Sequence, residues 1–321
     1  MGVDPAVGQM LDRFADRAVG AAPHVHQHAG GEHDFSVVIA VCVHGDEVGP
    51  LPAALRLVED LRAGRRRYGG RLAVVVGNPA ATRAGVRYLD SDLNRVFVER
   101  PPDDIEGRRA RDLSPLLDDA DVLLDLHQTS MPTRSAFWTL PWTRRDGRWV
   151  AALRAAPVWM ARPSGQVFSP GTCCLDEYVR NRGRVGLTLE MSQRGLDRAT
   201  EQAAARVLDR LLRLADGVGR GALDLDDEAG EVTVLETIHV QPFSDPALAL
   251  RAGLVNLQPV AAGTRLSPPG APVLRSPATG LVAFPKYPPR DEAGRAVGPL
   301  PGELYRLAAP LSAPPEEVWG G

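Results

Sequence analysis

Lysine is almost missing from this chain of 321 residues: among its 37 lysines and arginines only Lys286 is a lysine. With Ala, Gly and Pro abundant, that bias reads as base composition rather than an arginine surface built for a partner. A charge excess is lacking too. The net charge is -3, too small to set up a field for nucleic acid or a membrane surface. Cysteine is scarce, and Cys42, Cys173 and Cys174 cannot make a disulfide framework, the last two being adjacent and badly placed for bridging; they read as buried or inert thiols in a reducing compartment. No window approaches the roughly 18 consecutive apolar residues of a membrane helix. The first twenty residues carry acids early and have no apolar stretch of signal-peptide length, and Ala6 spoils a myristoylation pattern, so the expectation is a cytoplasmic protein. P-loop, G-x-G-x-x-G and G-x-S-x-G motifs are absent, which leaves nucleotide binding and serine hydrolysis without local support.

What is present is an alternation of apolar runs and helical periods. HVHQHAGGEHDFSVVIAVCV reads as a hairpin turning at Gly30 and Gly31, with a buried second strand through Val43. PLPAALRLVEDLRAG places Leu51, Leu55, Val58 and Leu61 at helical spacing with Gly64 as a stop. RLAVVVGNP is the next strand, 108–117 a helix, and 121–126 a third strand. AFWTLP and RVGLTLE are further strands flanking a helix at 175–181. A long amphipathic helix over 199–214 carries Ala203, Val207, Leu211 and Leu214 on one side. Strands alternating with helices imply an α/β fold with a largely parallel sheet covered on both faces.

The pattern changes near Gly217. Beyond it prolines and glycines are frequent, and EVTVLETIHV, APVLRSP and GLVAFP read as strands of a small all-β unit. The boundary falls within 218–229, dividing the chain into a catalytic domain over 1–222 and a β domain over 223–321. Residues 267–272 read as a loop, and the tail after Pro310 as a poorly ordered terminus.

The chemistry gathers at strand ends. His44 and Glu47 form an H-x-x-E pair where the run 36–43 breaks into a turn, and His127 closes DVLLDLH. Two histidines and a carboxylate are the ligand set of a catalytic Zn2+ site with one position left for water. His44, Asn78, His127 and Glu190 each fall at the carboxyl end of a predicted strand, the edge at which open parallel sheets bind ligands. Glu190, ending an apolar strand where burial raises a carboxyl pKa, suits a general acid/base. Asp125 points to the same side as His127 and suits a role in orienting it; a structural hydrogen bond is an equal alternative. Arg95 suits a bidentate pair with a substrate carboxylate, Asn94 a further hydrogen bond, and Arg87 an oxyanion.

Taken together, H-G-D-E, G-N-P-A-A, R-Y-L-D-S-D-L-N-R-V-F, E-G-R-R-A, D-L-H and T-L-E, spread over 37–191, resemble the succinylglutamate desuccinylase and aspartoacylase family, relatives of the zinc carboxypeptidases. The resemblance implies a carboxypeptidase-like α/β domain, a smaller carboxy-terminal β domain shaping the mouth of the site, and hydrolysis of N-acyl amino acids. It makes His44, Glu47 and His127 the ligands of one zinc ion and Glu190 the acid/base. It also assigns Arg87 to the scissile carbonyl, Asn94 and Arg95 to the substrate carboxylate, Arg180 to substrate binding, and Tyr287 to a β-domain tyrosine that enters the site. QTSMPTRSAFW after His127 and MSQRG after Glu190 depart from the family pattern at segments expected to flank the substrate pockets, so the acyl group and amino acid stay open. His24, His26, His28 and His33 read as the exposed face of an edge strand rather than a second metal site.

The expectation is therefore a zinc-dependent amidohydrolase acting on a small-molecule N-acyl amino acid, with no nucleic-acid or membrane partner and with a homo-oligomer left open. A peptide-cleaving carboxypeptidase with the same residues is the nearest rival. A non-catalytic metal-binding protein is a more distant one.

Overall fold

The apolar runs form the centre of an eleven-stranded sheet in the computed structural model, which describes residues 4–166, 169–298 and 300–319. The first three residues of the stretch read for a leader lie outside these, and among the described residues no helix is long and apolar enough to cross a membrane. Four strands, β2 (Ser36–Val41), β3 (Arg71–Val76), β4 (Val122–Thr129) and β7 (Val185–Gln193), run parallel in the order β3-β2-β4-β7. β2 and β4 are buried at every position, as strands covered by helices on both faces must be. One face is packed by α1 (Pro5–Arg17), α2 (Leu51–Arg62), α5 (Arg144–Leu153) and α7 (Arg198–Gly219), the other by α4 (Ile105–Asp118) and α6 (Leu175–Arg180).

The sheet is more mixed than the alternation suggests. β1 (Val25–Ala29) pairs antiparallel with β3 and not with β2, so the expected hairpin does not form; β3 inserts between its two arms because both arms present an edge to the same strand. β1 is an edge strand as read, but its histidines are not an exposed row. His26 is buried, His24 and His28 are half-buried, and His28 Nε2 lies 3.1 Å from the Tyr68 carbonyl oxygen. His33 pairs with Asp216 at 3.0 Å. β5 (Phe137–Pro141) runs antiparallel to β7, and β6 (Val158–Arg162), which the periodicity left unmarked, runs parallel to β5.

Chain beyond α7 extends this sheet rather than starting another. β8 (Thr233–Pro242) pairs in parallel with β6, and β11 (Glu303–Pro310), β10 (Gly280–Ala283) and β9 (Gln258–Val260) follow antiparallel. APVLRSP makes only a single bridge, Arg265 to Arg275, and β11 takes the place expected of it. These strands bury a core of their own around Leu254, Leu266, Val282, Leu304 and Tyr305. The tail is not without structure: α8 (Pro315–Trp319) brings Trp319 against the main core.

The amino-terminal helix belongs to the same core. Asp4 caps α1 through the Ala6 amide at 2.9 Å, and Leu11 and Phe14 are fully buried. Replacing Phe14 by Ala should cost about 3–5 kcal/mol, read as a lowered midpoint in urea with an unchanged slope; a loss under about 1 kcal/mol would show α1 to be peripheral.

Candidate active site

Each strand end delivers its polar residue by a local device. β2 stops at Val41, two residues short of the predicted end, because Cys42 takes a left-handed φ of 52° that turns the chain out of the sheet. Strain of this kind in a non-glycine residue is typical of functional turns. Gly45 then lies against α3 (Pro79–Ala84) so closely that a Cβ would sit 2.2 Å from the Ala81 carbonyl carbon. On the neighbouring strands the register sets Asp125 beside Thr188 and His127 beside Glu190. Alternation along a strand places each i, i+2 pair on one face.

Glu47 is where these residues meet. Its Oε1 lies 2.9 Å from His44 Nδ1 and accepts from Arg87 at 3.2 Å; its Oε2 lies 2.8 Å from His127 Nδ1 and accepts from the Gln128 amide at 3.0 Å. The far ring nitrogens are held as well, His44 Nε2 by Asp92 at 3.0 Å and His127 Nε2 by Asp125 at 2.7 Å. A carboxylate behind each histidine fixes ring orientation and raises ligand basicity. His44, Glu47 and His127 are all buried, and one ligand atom from each lies within 4.8 Å of the others.

Charge follows this packing. Burial works to raise the Glu47 carboxyl, yet His44 and His127 hold it well below the usual carboxylate range. The two imidazoles are driven up by their carboxylate partners against the downward pull of burial. Glu190 goes the other way: burial is the main influence and, aided by Glu47, pushes its carboxyl up to about 7. Its Oε2 and the Thr188 hydroxyl are both enclosed without a hydrogen-bond partner among the described residues.

These groups open on a cavity of about 170 Å³. Arg87, Asn94, Arg95, Gln128, Thr129 and Ser130 line one part, and Arg162, Cys174 and Asp176 another. Phe284, Lys286, Glu303 and Arg306, from the chain after α7, complete the wall. Asn94 accepts from the Leu175 amide at 2.8 Å and its amide nitrogen lies 3.4 Å from His127 Nε2.

The matching family model is the succinylglutamate desuccinylase/aspartoacylase catalytic domain, over residues 34–215. The chain belongs to this family. Succinylglutamate desuccinylase from Burkholderia cenocepacia is 30% identical over 262 residues, covering 73% of this chain and 72% of that protein. The Serratia proteamaculans enzyme of the same name is 49% identical over 77 residues, so the match spans about a quarter of the length of either chain, 24%. Among solved structures, a succinylglutamate desuccinylase from Chromobacterium violaceum superposes with a TM-score of 0.67 at 19% identity, covering 95% of this chain and 98% of that one. The product-bound ectoine utilization protein EutE (DoeB) from Ruegeria pomeroyi gives 0.64 at 20% identity, covering 88% of each. Both share the fold of this desuccinylase/aspartoacylase family member.

Of the nine residues to which the resemblance assigns a role, seven line the cavity: His44, Glu47, Arg87, Asn94, Arg95, His127 and Glu190. Arg180 and Tyr287 do not. α6 points its start at the cavity, so Cys174 and Asp176 reach it, while Arg180 at the far end turns back to Asp176 Oδ2 at 2.6 Å and the Gly186 carbonyl at 2.8 Å. The arginine lining that side is Arg162, on β6. The Tyr287 hydroxyl donates to the Arg251 carbonyl at 2.8 Å and accepts from the Leu254 amide at 3.1 Å, outside the cavity. Asn78, at its strand end as expected, is a support: it caps α3 and donates to Glu106. Cys174 is buried as read, its thiol pKa pushed up by burial, and it borders the cavity with its sulfur 3.3 Å from Arg95. Asp92 and Glu106 escaped the sequence reading although they stand inside its motifs; Glu106, fully buried, accepts from the amides of Leu89, Asp90 and Ser91 and so shapes the loop bearing Arg87 and Asp92.

Gly45 gives this geometry a direct test. An added methyl must force the 44–47 turn away from α3, so Gly45→Ala should weaken divalent-metal affinity about 10- to 100-fold, the range found when ligand support is lost. Competition with a fluorescent chelator measures it, and wild-type affinity in the variant would show the close approach to be unimportant.

Proposed function

We propose that the chain is a zinc-dependent amidohydrolase that cleaves the amide of a small N-acyl amino acid, releasing a carboxylate and a free amine. The observation that carries this reading is the convergence of His44 and His127 on the two oxygens of one buried carboxylate, Glu47, with Glu190 beside them in the adjoining strand. The donor set fits zinc: two imidazoles whose outer nitrogens are held by Asp92 and Asp125, and one carboxylate, all buried, with negative charge in excess. When bound there, zinc supplies a Lewis acid and brings the pKa of a water toward about 7.

The chain's own residues supply the rest. Glu190, with a carboxyl poised near neutrality, takes the proton of the attacking water and returns it to the leaving nitrogen. Arg87, anchored by Glu47 and Asp92, presents its guanidinium to the carbonyl oxygen as negative charge develops. Asn94 and Arg95 bind the substrate carboxylate, and Asp176, held by Arg180, fixes the wall behind them. A cavity closed on one side by Phe284, Lys286, Glu303 and Arg306 favours small amides over peptides. The cytoplasm is the setting we assign, supported by three cysteines that remain free thiols.

Glu190→Gln keeps the shape and the ligands but removes the proton carrier. It should retain about one zinc per chain by elemental analysis while kcat falls about 10²- to 10⁴-fold on a panel of N-acetyl, N-succinyl and N-formyl amino acids. Full activity in that variant would remove the mechanism. Chelation should abolish turnover and added zinc restore it; turnover by metal-free protein would remove the zinc.

A further inference from the structure

Five cations line the cavity, and four of them are tied to the protein. Arg87 binds Glu47 and Asp92, Arg95 the Asn94 carbonyl and Cys174, Arg162 Glu177, and Arg306 Glu303 at 2.9 Å. The fifth is Lys286, the chain's only lysine. Its Nζ makes no hydrogen bond or ion pair with any described residue, and the Phe284 ring lies 5.7 Å away at the centroid. That distance gives a weak cation–π hold at best.

The backbone that aims it is fixed. Phe284 has a left-handed φ of 48° at the end of β10, and its amide donates to Asn256 Oδ1 at 2.7 Å. The Lys286 amide donates to the Leu304 carbonyl at 2.9 Å. Lys286 lines the cavity, while the Tyr287 hydroxyl turns away to the Arg251 carbonyl. The ammonium is half-buried among Glu303, Arg87, Arg306 and Glu190, with burial the main pull lowering its pKa. A desolvated cation with no direct ion pair, with only Glu303 and Glu190 set against Arg87 and Arg306 at longer range, carries a cost that a ligand's anion would offset.

We propose that Lys286 is a specificity-determining residue whose ammonium receives a second carboxylate of the substrate, apart from the one at Asn94 and Arg95. The inference rests on the deacylase reading above. The two candidate anion sites come from different segments, Arg95 beside Cys174 at the start of α6 and Lys286 between β10 and β11. A compact charge on a flexible stem suits a carboxylate whose position varies with the substrate. That carboxylate belongs either to the acyl half of the amide or to the side chain of the amino-acid half.

Three substrates separate these sources: N-acetylalanine, N-succinylalanine and N-acetylglutamate, assayed with zinc-loaded full-length wild type, Lys286→Met and Lys286→Arg. In Lys286→Met the ratio of kcat/KM for a dicarboxylate to that for N-acetylalanine should fall about 10- to 100-fold, through KM, with Lys286→Arg recovering most of it. A fall confined to N-succinylalanine places the second carboxylate in the acyl half, and one confined to N-acetylglutamate places it in the amino acid. An unchanged ratio for both overturns the proposal, as does an equal loss on all three, which would make Lys286 an electrostatic neighbour of Glu190 only. The single lysine allows a readout without turnover: succinate or glutamate should protect Lys286 from an amine-reactive label, read by peptide mass spectrometry, and lack of protection by either counts against the site. If wild type hydrolysed none of the three, the deacylase reading would fail, while protection of Lys286 would still report the anion site.

Discussion

Both oxygens of Glu47 are spoken for, and the rest of the site is arranged by that fact. One oxygen engages His44 and Arg87, the other His127 and the backbone of Gln128. Four positions on three chain segments, the turn after β2, the loop after α3 and the end of β4, thereby converge on a single carboxylate. Stripping such a buried charge of a partner is costly, of order 3–5 kcal/mol. The surrounding geometry is therefore held to narrow limits. Asp92 and Asp125 add further negative charge behind the two imidazoles, an excess that Arg87 only partly offsets.

Such convergence requires a rigid frame, which parallel strands in register provide. β2 and β4 share a continuous ladder from Val37 opposite Val122 to Val41 opposite Leu126, and β4 carries it to β7 as far as His127 opposite Glu190. The loop over 87–92 has no ladder of its own. Glu106 substitutes for one by collecting three consecutive amides on its carboxylate. Charge-assisted hydrogen bonds to backbone donors of this kind are among the stronger ones a loop can make. Arg109 works in the same way on the end of β3, binding the carbonyls of Val76 and Gly77.

Sequence patterns revealed the parts of this that depend on local chemistry. Aliphatic runs ending in His44, His127 and Glu190 made both the strands and the site legible, because strand burial and ligand type are each written at one position. Contacts between distant segments were not. β1 alternates as a hairpin arm would, and nothing in its residues says that β3 rather than β2 is its partner. α1 and α5 bury the same kind of apolar stripe as α2 and α7. Arg180 and Arg162 are equally plausible as site arginines until the direction of α6 is known. Tyr287 and Lys286 stand side by side, and their residue types do not say that Lys286 lines the cavity while Tyr287 bonds to Arg251 and Leu254 outside it.

The cavity wall bearing Phe284, Lys286, Glu303 and Arg306 is built as a continuation of the main sheet and not as a lid. β8 is hydrogen-bonded to β6, and Phe137, Met160, Leu235, Leu257, Ala283 and Ala308 form one apolar cluster across that junction. Asn256 pins the same junction from the polar side. Fully enclosed, it donates to the carbonyls of Met131 and Pro132, just past the cavity residues Gln128, Thr129 and Ser130, and it accepts from the Phe284 amide. The segment after His127, where the family pattern is lost, is thus coupled through one side chain to the segment that carries Lys286. Substitutions on either side shift the other, since a buried amide with three satisfied bonds tolerates little displacement. Two stretches that border the cavity, more than a hundred residues apart in sequence, are thus held in register by Asn256.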